Sequence, residues 1–196
     1  MKTIPNLLTA LRLLLIPILW ALAWLQLPVF VGIGLLIAGL TDALDGTIAR
    51  KLNQVTRFGS KFDTLADSLL VISACAWLLM LRPVVFTQHP AAWLTAVVLS
   101  LAFTLVGWFK FRRFANLHLY TTKAAGTAAC IFAVHAFLSG YYSVLLFYAA
   151  VGLFILSAIE TLVLQLTQEQ VDEHMGSIIL VWAKRNMSSH KLEGRH

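Results

Sequence analysis

The sequence has 196 residues, of which 59% are apolar and 12% are charged, and its formal net charge is +6. Soluble globular domains carry roughly 25% charged residues, so a water-soluble fold of this composition would expose much of its apolar surface. A soluble globular protein is therefore excluded, and no soluble basic segment exists that could form a nucleic-acid-binding domain. The composition favours an integral membrane protein, and we expect no nucleic-acid partner.

Several apolar stretches are long enough for transmembrane helices, which need about 20 residues. Six such stretches are predicted, at residues 6–26, 29–49, 58–81, 91–111, 121–139 and 143–165. Glycine, proline or basic residues lie in the breaks between them, as expected for loops. The predicted fold is all-α, with one six-helix membrane domain over residues 1–166 and a short amphipathic segment at 167–196.

That last segment, residues 167–196, has apolar residues at helical spacing and charged residues between them. Val171, Met175 and Trp182 lie on the apolar side of this pattern, which is typical of a helix on a membrane surface. A solvated tail with one or two helical turns is the alternative. We expect the segment to lie in the cytoplasm in either case.

Positive charges predict the orientation of the spans. If both termini are cytoplasmic, every lysine and arginine except Arg82 lies on the cytoplasmic side. Cytoplasmic loops of membrane proteins carry an excess of these residues. The sequence therefore predicts a multi-pass protein of the cell membrane (inner or plasma membrane), with both termini in the cytoplasm.

Acidic residues are rare in the spans and are grouped near the cytoplasmic ends of the second and third. Of the nine in the chain, those before Glu160 are Asp42, Asp45, Asp63 and Asp67. An ionised carboxylate within a membrane helix costs about 2.5–3.5 kcal/mol on insertion scales. Spacings of three and four residues place each pair on one helical face, and consecutive spans are antiparallel. We therefore expect both pairs to meet at one depth.

A cluster of carboxylates is a site for a hard divalent cation such as Mg²⁺, Mn²⁺ or Ca²⁺. The cluster contains no histidine or cysteine, which argues against zinc. The alternative is that the aspartates form interfacial salt bridges with Arg50, Arg57 and Lys61. Small residues nearby, at Gly46, Ala49 and Gly59, allow a backbone or a ligand to approach closely.

The same residues resemble the signature of a known family. Residues 42–67 fit the pattern D-x2-D-G-x2-A-R-x8-G-x3-D-x3-D at all eight fixed positions. This pattern is that of the CDP-alcohol phosphotransferase (CDP-alcohol phosphatidyltransferase) family. Residues 4–12, Ile-Pro-Asn-Leu-Leu-Thr-Ala-Leu-Arg, are similar to the amphipathic entry segment of the bacterial members. Together with six spans, the resemblance covers most of the chain.

The resemblance implies a reaction and roles for individual residues. Asp42, Asp45 and Asp63 correspond to metal ligands, and Asp67 completes this cluster and acts as the general base. The residues around the CDP group correspond to Gly46, Ala49, Arg50, Gly59 and Ser60. Members are usually homodimers that transfer a phosphatidyl group from a CDP-lipid to a small alcohol and release CMP. We expect Mg²⁺ or Mn²⁺ as the cofactor and membrane lipids as further partners.

The acceptor alcohol is indicated only by basic residues at the end of the fourth span and the start of the fifth, where Lys123 is the best candidate because it lies in an apolar helix start with Gly126 one turn on. Lys110, Arg112 and Lys123 are candidates for binding a phosphorylated acceptor, or they anchor the helices at lipid head groups. We expect glycerol 3-phosphate, with an inositol phosphate or serine as alternatives. The glycerophosphate-using branch usually reads D-P-x-x-D-K at the last two aspartates, whereas this chain has Thr64 and Ser68.

Two other classes of function fit the composition. A cation transporter could use the carboxylates as its ion path, but such sites usually lie at the bilayer midplane on broken helices. A non-catalytic membrane scaffold could keep the same fold, and a lost aspartate would indicate it. All the motif aspartates are present. Transfer of a phosphatidyl group is therefore the function that the sequence favours.

Overall fold

A computed structural model describes the backbone of residues 4–51, 57–111 and 120–167, and the side chains of 9–42, 59, 62–110 and 121–167. All regular structure in these ranges is helical, which confirms the prediction of an all-α fold. The helices are α1 (Ile4–Trp24), α2 (Pro28–Lys51), α3 (Arg57–Leu81), α4 (Val84–Gln88), α5 (Pro90–Phe111), α6 (Tyr120–Leu138) and α7 (Val144–Thr167). The predicted amphipathic segment at 167–196 lies outside the described residues, apart from Thr167 at the end of α7.

The six long helices match the predicted stretches, and each boundary differs by at most two residues. The short helix α4 was not predicted, because Arg82-Pro83 through Pro90 was interpreted as a break. Pro83 stands at the position before α4, and a run of five residues is too short to give a periodic pattern. The helix content of this connection could therefore not be predicted from apolar spacing.

The helix ends follow from local backbone chemistry. Pro28 and Pro90 are the first residues of α2 and α5, where the missing N–H of proline is tolerated and its fixed φ suits a helix. Between α1 and α2, Gln26 has a φ of 55°. After α6, Gly140 has a φ of 79°, the left-handed conformation in which glycine commonly ends a helix.

Apolar side chains cover the outside of the long helices. Among the described residues, four helical segments are long and apolar enough to cross a membrane: Phe62–Leu81, Pro90–Lys110, Thr121–Leu138 and Val144–Thr167. Helices α1 and α2 contain shorter apolar stretches, Thr9–Trp24 and Pro28–Asp42. Leu145 is 80% exposed and Phe109 is 79% exposed, which suits a lipid environment. The count of six spans stays a prediction.

The described residues fall into two compact units. The first comprises Met1–His89 and Cys130–Val144, and the second comprises Pro90–Ala129 and Leu145–His196. The first unit therefore contains α1 to α4 and the second half of α6. The second contains α5, the first half of α6 and nearly all of α7. The sequence predicted one membrane domain over residues 1–166, and that division stays a prediction.

In the first unit, α1 packs against both α2 and α3. Gly34 of α2 leaves the space that the buried side chain of Leu19 occupies. On the other side of α1, the indole N–H of Trp20 donates to Ser73 Oγ of α3 at 3.1 Å. The Trp20 ring also lies edge-on to the buried ring of Trp77, with centroids 6.0 Å apart. Small residues on α2 and a polar contact to α3 thus hold α1 between its neighbours.

Another glycine of α2 is needed for close packing within the first unit. A Cβ atom at Gly32 would lie 2.9 Å from Cβ of Phe137, whose side chain is fully buried. Since a Cβ atom moves only with its backbone, this neighbour cannot move aside without moving α6. In α7, by contrast, a Cβ atom at Gly152 would meet no described heavy atom within 4 Å outside its own helix.

We therefore expect Gly32→Ala to lower the melting temperature in detergent. Overpacking costs about 1–3 kcal/mol, and the higher helix propensity of alanine recovers about 1 kcal/mol of this. A net loss of about 1 kcal/mol corresponds to about 2–4 °C for a chain of this size. The matched control Gly152→Ala should melt at the wild-type temperature or above it. Equal melting temperatures for the two variants would contradict the packing of α2 described here.

Candidate functional site

Three aspartates of the first unit converge on one point. Asp42 lies on α2, while Asp63 and Asp67 lie one helical turn apart on α3. One carboxylate oxygen of each lies within 4.8 Å of the others. Their side chains are between 39% and 47% exposed, so the cluster is half-buried and still reachable. The meeting of the second and third helices that the spacing predicts is confirmed for these three residues.

The guanidinium group of Arg12 contacts all three carboxylates. Its Nη2 lies 2.9 Å from Oδ1 of Asp42. Its Nη1 donates to Oδ1 of Asp67 at 2.6 Å and to Oδ1 of Asp63 at 3.2 Å. The Arg12 side chain is 0% exposed, although the carboxylates are not. A planar guanidinium with several fixed donors suits this role better than an ammonium group, because it can reach several oxygens at once.

Sequence reasoning missed Arg12 as a member of this site. The alternative considered there paired the aspartates with Arg50, Arg57 and Lys61, whose side chains lie outside the described residues. Arg12 was counted only among the cytoplasmic positive charges and as the last residue of the family-like segment 4–12. A signal was nevertheless present, because an ionisable residue inside an apolar stretch requires a partner of opposite charge. The first span contains no acid, so that partner had to come from another helix.

The other residues of the motif are placed only in part. Asp45, Gly46, Ala49 and Arg50 belong to α2, and Ser60 belongs to α3, but their side chains are not among those described. Gly59 is partly buried and precedes Asp63 by one turn of α3. The predicted metal ligand Asp45 and the predicted CDP-binding side chains therefore remain predictions.

The candidate acceptor residues belong to the second unit or lie outside the described residues. Lys110 ends the apolar part of α5, and its ammonium group donates to the backbone oxygens of Gln165 at 2.7 Å and Leu166 at 3.0 Å. Lys123 is exposed in the first turn of α6. Arg112 lies outside the described residues. A role in binding an acceptor stays a prediction for all three.

The contact of Lys110 has a structural consequence for α7. The last four carbonyl groups of a helix have no partner within that helix. Gln165 and Leu166 are in this last turn of α7, where a positive charge also interacts favourably with the helix dipole. Lys110 therefore caps α7 from the end of α5.

Polar contacts between α6 and α7 also hold the second unit together. Thr121 donates to the carboxylate of Glu160 at 2.5 Å. One turn before Glu160, the hydroxyl groups of Thr122 and Ser157 are 2.8 Å apart. Glu160 is the only acid of the described part of α7, and this hydrogen bond gives its carboxylate a donor inside an apolar helix.

The aspartate cluster has the donor chemistry of a hard divalent cation. Its ligand atoms are carboxylate oxygens on two rigid helices, and they lie within 4.8 Å of one another. Mg²⁺ and Mn²⁺ prefer such oxygen donors, whereas zinc usually takes histidine or cysteine. The residues present therefore fit a divalent cation held between α2 and α3.

The fold and the site together define a class. A helical protein with exposed apolar helices of membrane-spanning length and a carboxylate cluster is a membrane protein with a candidate cation site. Residues 2–162 match the CDP-alcohol phosphatidyltransferase family, and the chain belongs to this family. The match covers the aspartate cluster, Arg12 and all seven helices except the end of α7. Members of the family generally depend on a divalent metal ion.

Several relatives carry the name CDP-diacylglycerol–glycerol-3-phosphate 3-phosphatidyltransferase. The chain is 41% identical to one from Rickettsia typhi over 85 residues, which is 42% of this chain and 47% of the relative. It is 39% identical to one from Salmonella choleraesuis over 93 residues, 46% of this chain and 47% of the relative. The chain thus spans about half the length of the curated relatives it matches.

We expect Lys110→Met to lower the melting temperature by removing the cap of α7. Methionine keeps the apolar stem of the side chain but cannot donate to the carbonyl groups. Such a capping contact contributes about 1 kcal/mol, or about 2–4 °C for a chain of this size. Lys123→Met is the matched control, because it removes an exposed lysine from the first turn of α6. A larger loss in the control than in Lys110→Met would contradict the capping role.

Proposed function

We propose that this protein transfers a phosphatidyl group from CDP-diacylglycerol, or a related CDP-lipid, to the hydroxyl group of a small alcohol. The observation that carries the proposal is the convergence of Asp42, Asp63 and Asp67 in a chain of the CDP-alcohol phosphatidyltransferase family. A diphosphate substrate carries negative charge that grows on its leaving group during transfer. A site that gathers carboxylates to hold a cation suits that substrate.

The proposed reaction exchanges one phosphorus–oxygen bond for another. The acceptor oxygen forms a bond to the phosphorus that bears the lipid, and the bond from that phosphorus to the bridging oxygen breaks. CMP leaves with this oxygen and its electron pair. The acceptor proton passes to a carboxylate oxygen of Asp67, provided that the hydroxyl group approaches within hydrogen-bond reach. The Asp67 side chain is 46% exposed, so a substrate can reach it from outside the helices.

The motif residues have two further proposed roles, which are to hold the cation and to hold the CDP group. Asp42, Asp45, Asp63 and Asp67 are the proposed ligands of Mg²⁺ or Mn²⁺, which when bound would neutralise the diphosphate and align the reacting groups. Arg50 offers a planar fork for phosphate oxygens. The proposed contacts to CDP come from Gly46, Ala49, Arg50, Gly59 and Ser60. Gly59 supports this assignment because it is partly buried one turn before Asp63.

We propose glycerol 3-phosphate as the acceptor. The names of the relatives from Rickettsia typhi and Salmonella choleraesuis support this choice, since the matched region is about 40% identical. This chain differs from the D-P-x-x-D-K pattern of the glycerophosphate-using branch, because it has Thr64 and Ser68 in place of the proline and the lysine. The relatives support glycerol 3-phosphate in spite of that difference. A phosphorylated acceptor is an anion, and Lys110, Arg112 and Lys123 are the proposed cations that bind it.

The setting of the reaction is the membrane surface. We propose six spans, formed by α1, α2, α3, α5, α6 and α7, in the cell membrane with both termini in the cytoplasm. The distribution of lysine and arginine supports this orientation. The lipid chains would stay in the bilayer while the head group and CMP reach water. A homodimer is the proposed assembly, as the family resemblance implies.

The proposal is tested by the release of CMP from CDP-diacylglycerol. Purified protein with Mg²⁺ or Mn²⁺ should release CMP when glycerol 3-phosphate is added, and the lipid product is identified by mass spectrometry. An inositol phosphate and serine are the comparison acceptors. CMP release only with one of these would replace the proposed acceptor and keep the proposed reaction. No release with any acceptor, metal or CDP-lipid would overturn the proposed activity.

We expect Asp67→Asn to reduce turnover by at least about 100-fold, since an amide cannot accept the acceptor proton. Asp42→Asn removes a proposed ligand of the cation without removing the base, so part of its activity should return at higher Mn²⁺ concentration. Asp67→Asn should not recover in this way. Ser68→Ala is the control, because Ser68 is exposed and its hydroxyl group donates to the backbone oxygen of Thr64. Near-wild-type turnover of Asp67→Asn would exclude it as the base.

For the acceptor site, we expect Lys123→Ala to raise KM for glycerol 3-phosphate while kcat changes little. Loss of a contact made equally in the ground state and the transition state has this effect. KM for CDP-diacylglycerol should stay at the wild-type value, which distinguishes a local effect from a general loss of structure. An unchanged KM for glycerol 3-phosphate would assign Lys123 to membrane anchoring instead.

A further inference from the structure

Arg12 is the least exposed charged side chain described in this protein, and it lies at the centre of the aspartate cluster. Its side chain is 0% exposed and it forms ion pairs with Asp42, Asp63 and Asp67 at 2.9, 3.2 and 2.6 Å. It reaches the cluster from α1, whereas the aspartates belong to α2 and α3. The charge of the cluster is therefore set by three helices together.

Charge balance explains why a cation is required there before any metal binds. Three ionised carboxylates whose oxygens lie within 4.8 Å repel one another strongly in a half-buried setting. Arg12 supplies one positive charge against three negative ones, so these four side chains keep two negative charges in excess. Two excess negative charges still attract a divalent cation. The attraction is weaker than the one that three carboxylates would exert without Arg12.

The guanidinium group occupies one oxygen of each carboxylate that a metal ion would also use as a ligand. Arg12 contacts Oδ1 of each of the three aspartates, at distances of 2.6 to 3.2 Å. An octahedral Mg²⁺ ion binds oxygens at about 2.0–2.1 Å, which brings neighbouring ligand oxygens to about 3 Å from one another. A metal ion held this closely would draw the carboxylates of Asp42, Asp63 and Asp67 towards itself and would weaken their contacts with Arg12.

We propose that Arg12 is the resident counter-ion of the aspartate cluster, that it competes with the divalent cation for the carboxylate oxygens, and that it thereby lowers the affinity for metal. The proposal rests on the proposed function only in assigning a divalent cation to this cluster. Arg12 is thus a positioning residue. It holds the three helices together while no metal is bound, and it keeps metal binding reversible.

Competition between Arg12 and the metal ion predicts in which direction a mutation of Arg12 changes stability and metal affinity. Two groups that oppose each other at one site are linked, so removing one strengthens the binding of the other by the same free energy. Loss of Arg12 should therefore destabilise the metal-free protein and increase the affinity for metal. A residue with a purely structural role would lower stability equally with and without metal and leave the affinity unchanged.

The test measures Mn²⁺ binding to the purified chain in detergent, without CDP-lipid, from the electron paramagnetic resonance signal of free Mn²⁺. For Arg12→Gln we expect Kd to fall by at least about fivefold, the lower end of typical coupling between linked sites. The melting temperature should fall in EDTA and should be largely restored by saturating Mg²⁺. Arg82→Gln is the matched control. Arg82 follows the last residue of α3, about 22 Å along the helix axis from Asp67, and it donates to the backbone oxygen of Ala136.

Arg12→Lys is the second variant, in case Arg12→Gln does not fold. Lysine keeps the charge but lacks the planar fork that reaches three carboxylates, so Kd for Mn²⁺ should lie below the wild-type value. An unchanged Kd, with equal losses of melting temperature in EDTA and in Mg²⁺, would overturn the proposal. A raised Kd would also overturn it, since Arg12 would then organise the carboxylates for the metal.

The Mn²⁺-binding measurement and the CMP-release assay together separate this inference from the proposed function. Tighter Mn²⁺ binding by Arg12→Gln, together with no release of CMP by the wild type, would support the counter-ion role and reject the proposed activity. Release of CMP by the wild type, together with unchanged Mn²⁺ binding by Arg12→Gln, would do the reverse. No Mn²⁺ binding to either protein would overturn the inference whatever the result for CMP.

Discussion

An electrostatic constraint acts on the first unit, where Arg12 is grouped with Asp42, Asp63 and Asp67 among apolar helices. Each of these charges is unfavourable inside an apolar helix by itself. Brought together, the guanidinium group and the carboxylates replace part of the hydration that each has lost. This grouping is possible only if α1, α2 and α3 meet at one point. The candidate site and the fold of the first unit therefore have the same physical origin.

Close packing makes that meeting possible. The contact of Leu19 with Gly34 brings α1 against α2, and the contact of Trp20 with Ser73 brings it against α3. Arg12 lies about two turns before Leu19 on α1, so the packing that holds Leu19 also sets the depth of the guanidinium group. Apolar association is weak between helices that already lie in lipid, and small residues and polar contacts take its place. The first unit uses both kinds of contact next to its charged cluster.

The two described lysines of the second unit, Lys110 and Lys123, have different surroundings. Lys110 donates to two carbonyl groups at the end of α7, whereas Lys123 is exposed in the first turn of α6. Each is a proposed ligand of an anionic acceptor, and the sequence favours Lys123 because it lies in an apolar helix start with Gly126 one turn on. An ammonium group that already caps a helix must exchange those hydrogen bonds for a ligand, and an exposed one need not. Lys123 is therefore the better candidate to bind a phosphorylated acceptor.

Sequence patterns alone predicted the all-α class, the six long helices to within two residues and the meeting of Asp42 with Asp63 and Asp67. These follow from local rules, because apolar length predicts a span and spacings of three or four residues predict a shared face. The short helix α4 did not follow, since five residues give no periodicity. Nor did the role of Arg12 or the cap that Lys110 forms on α7, because these contacts join different helices whose residues are 30 to 56 positions apart. The packing of the helices determines these partners, because the sequence around a charged side chain does not specify which distant helix will supply its counter-charge.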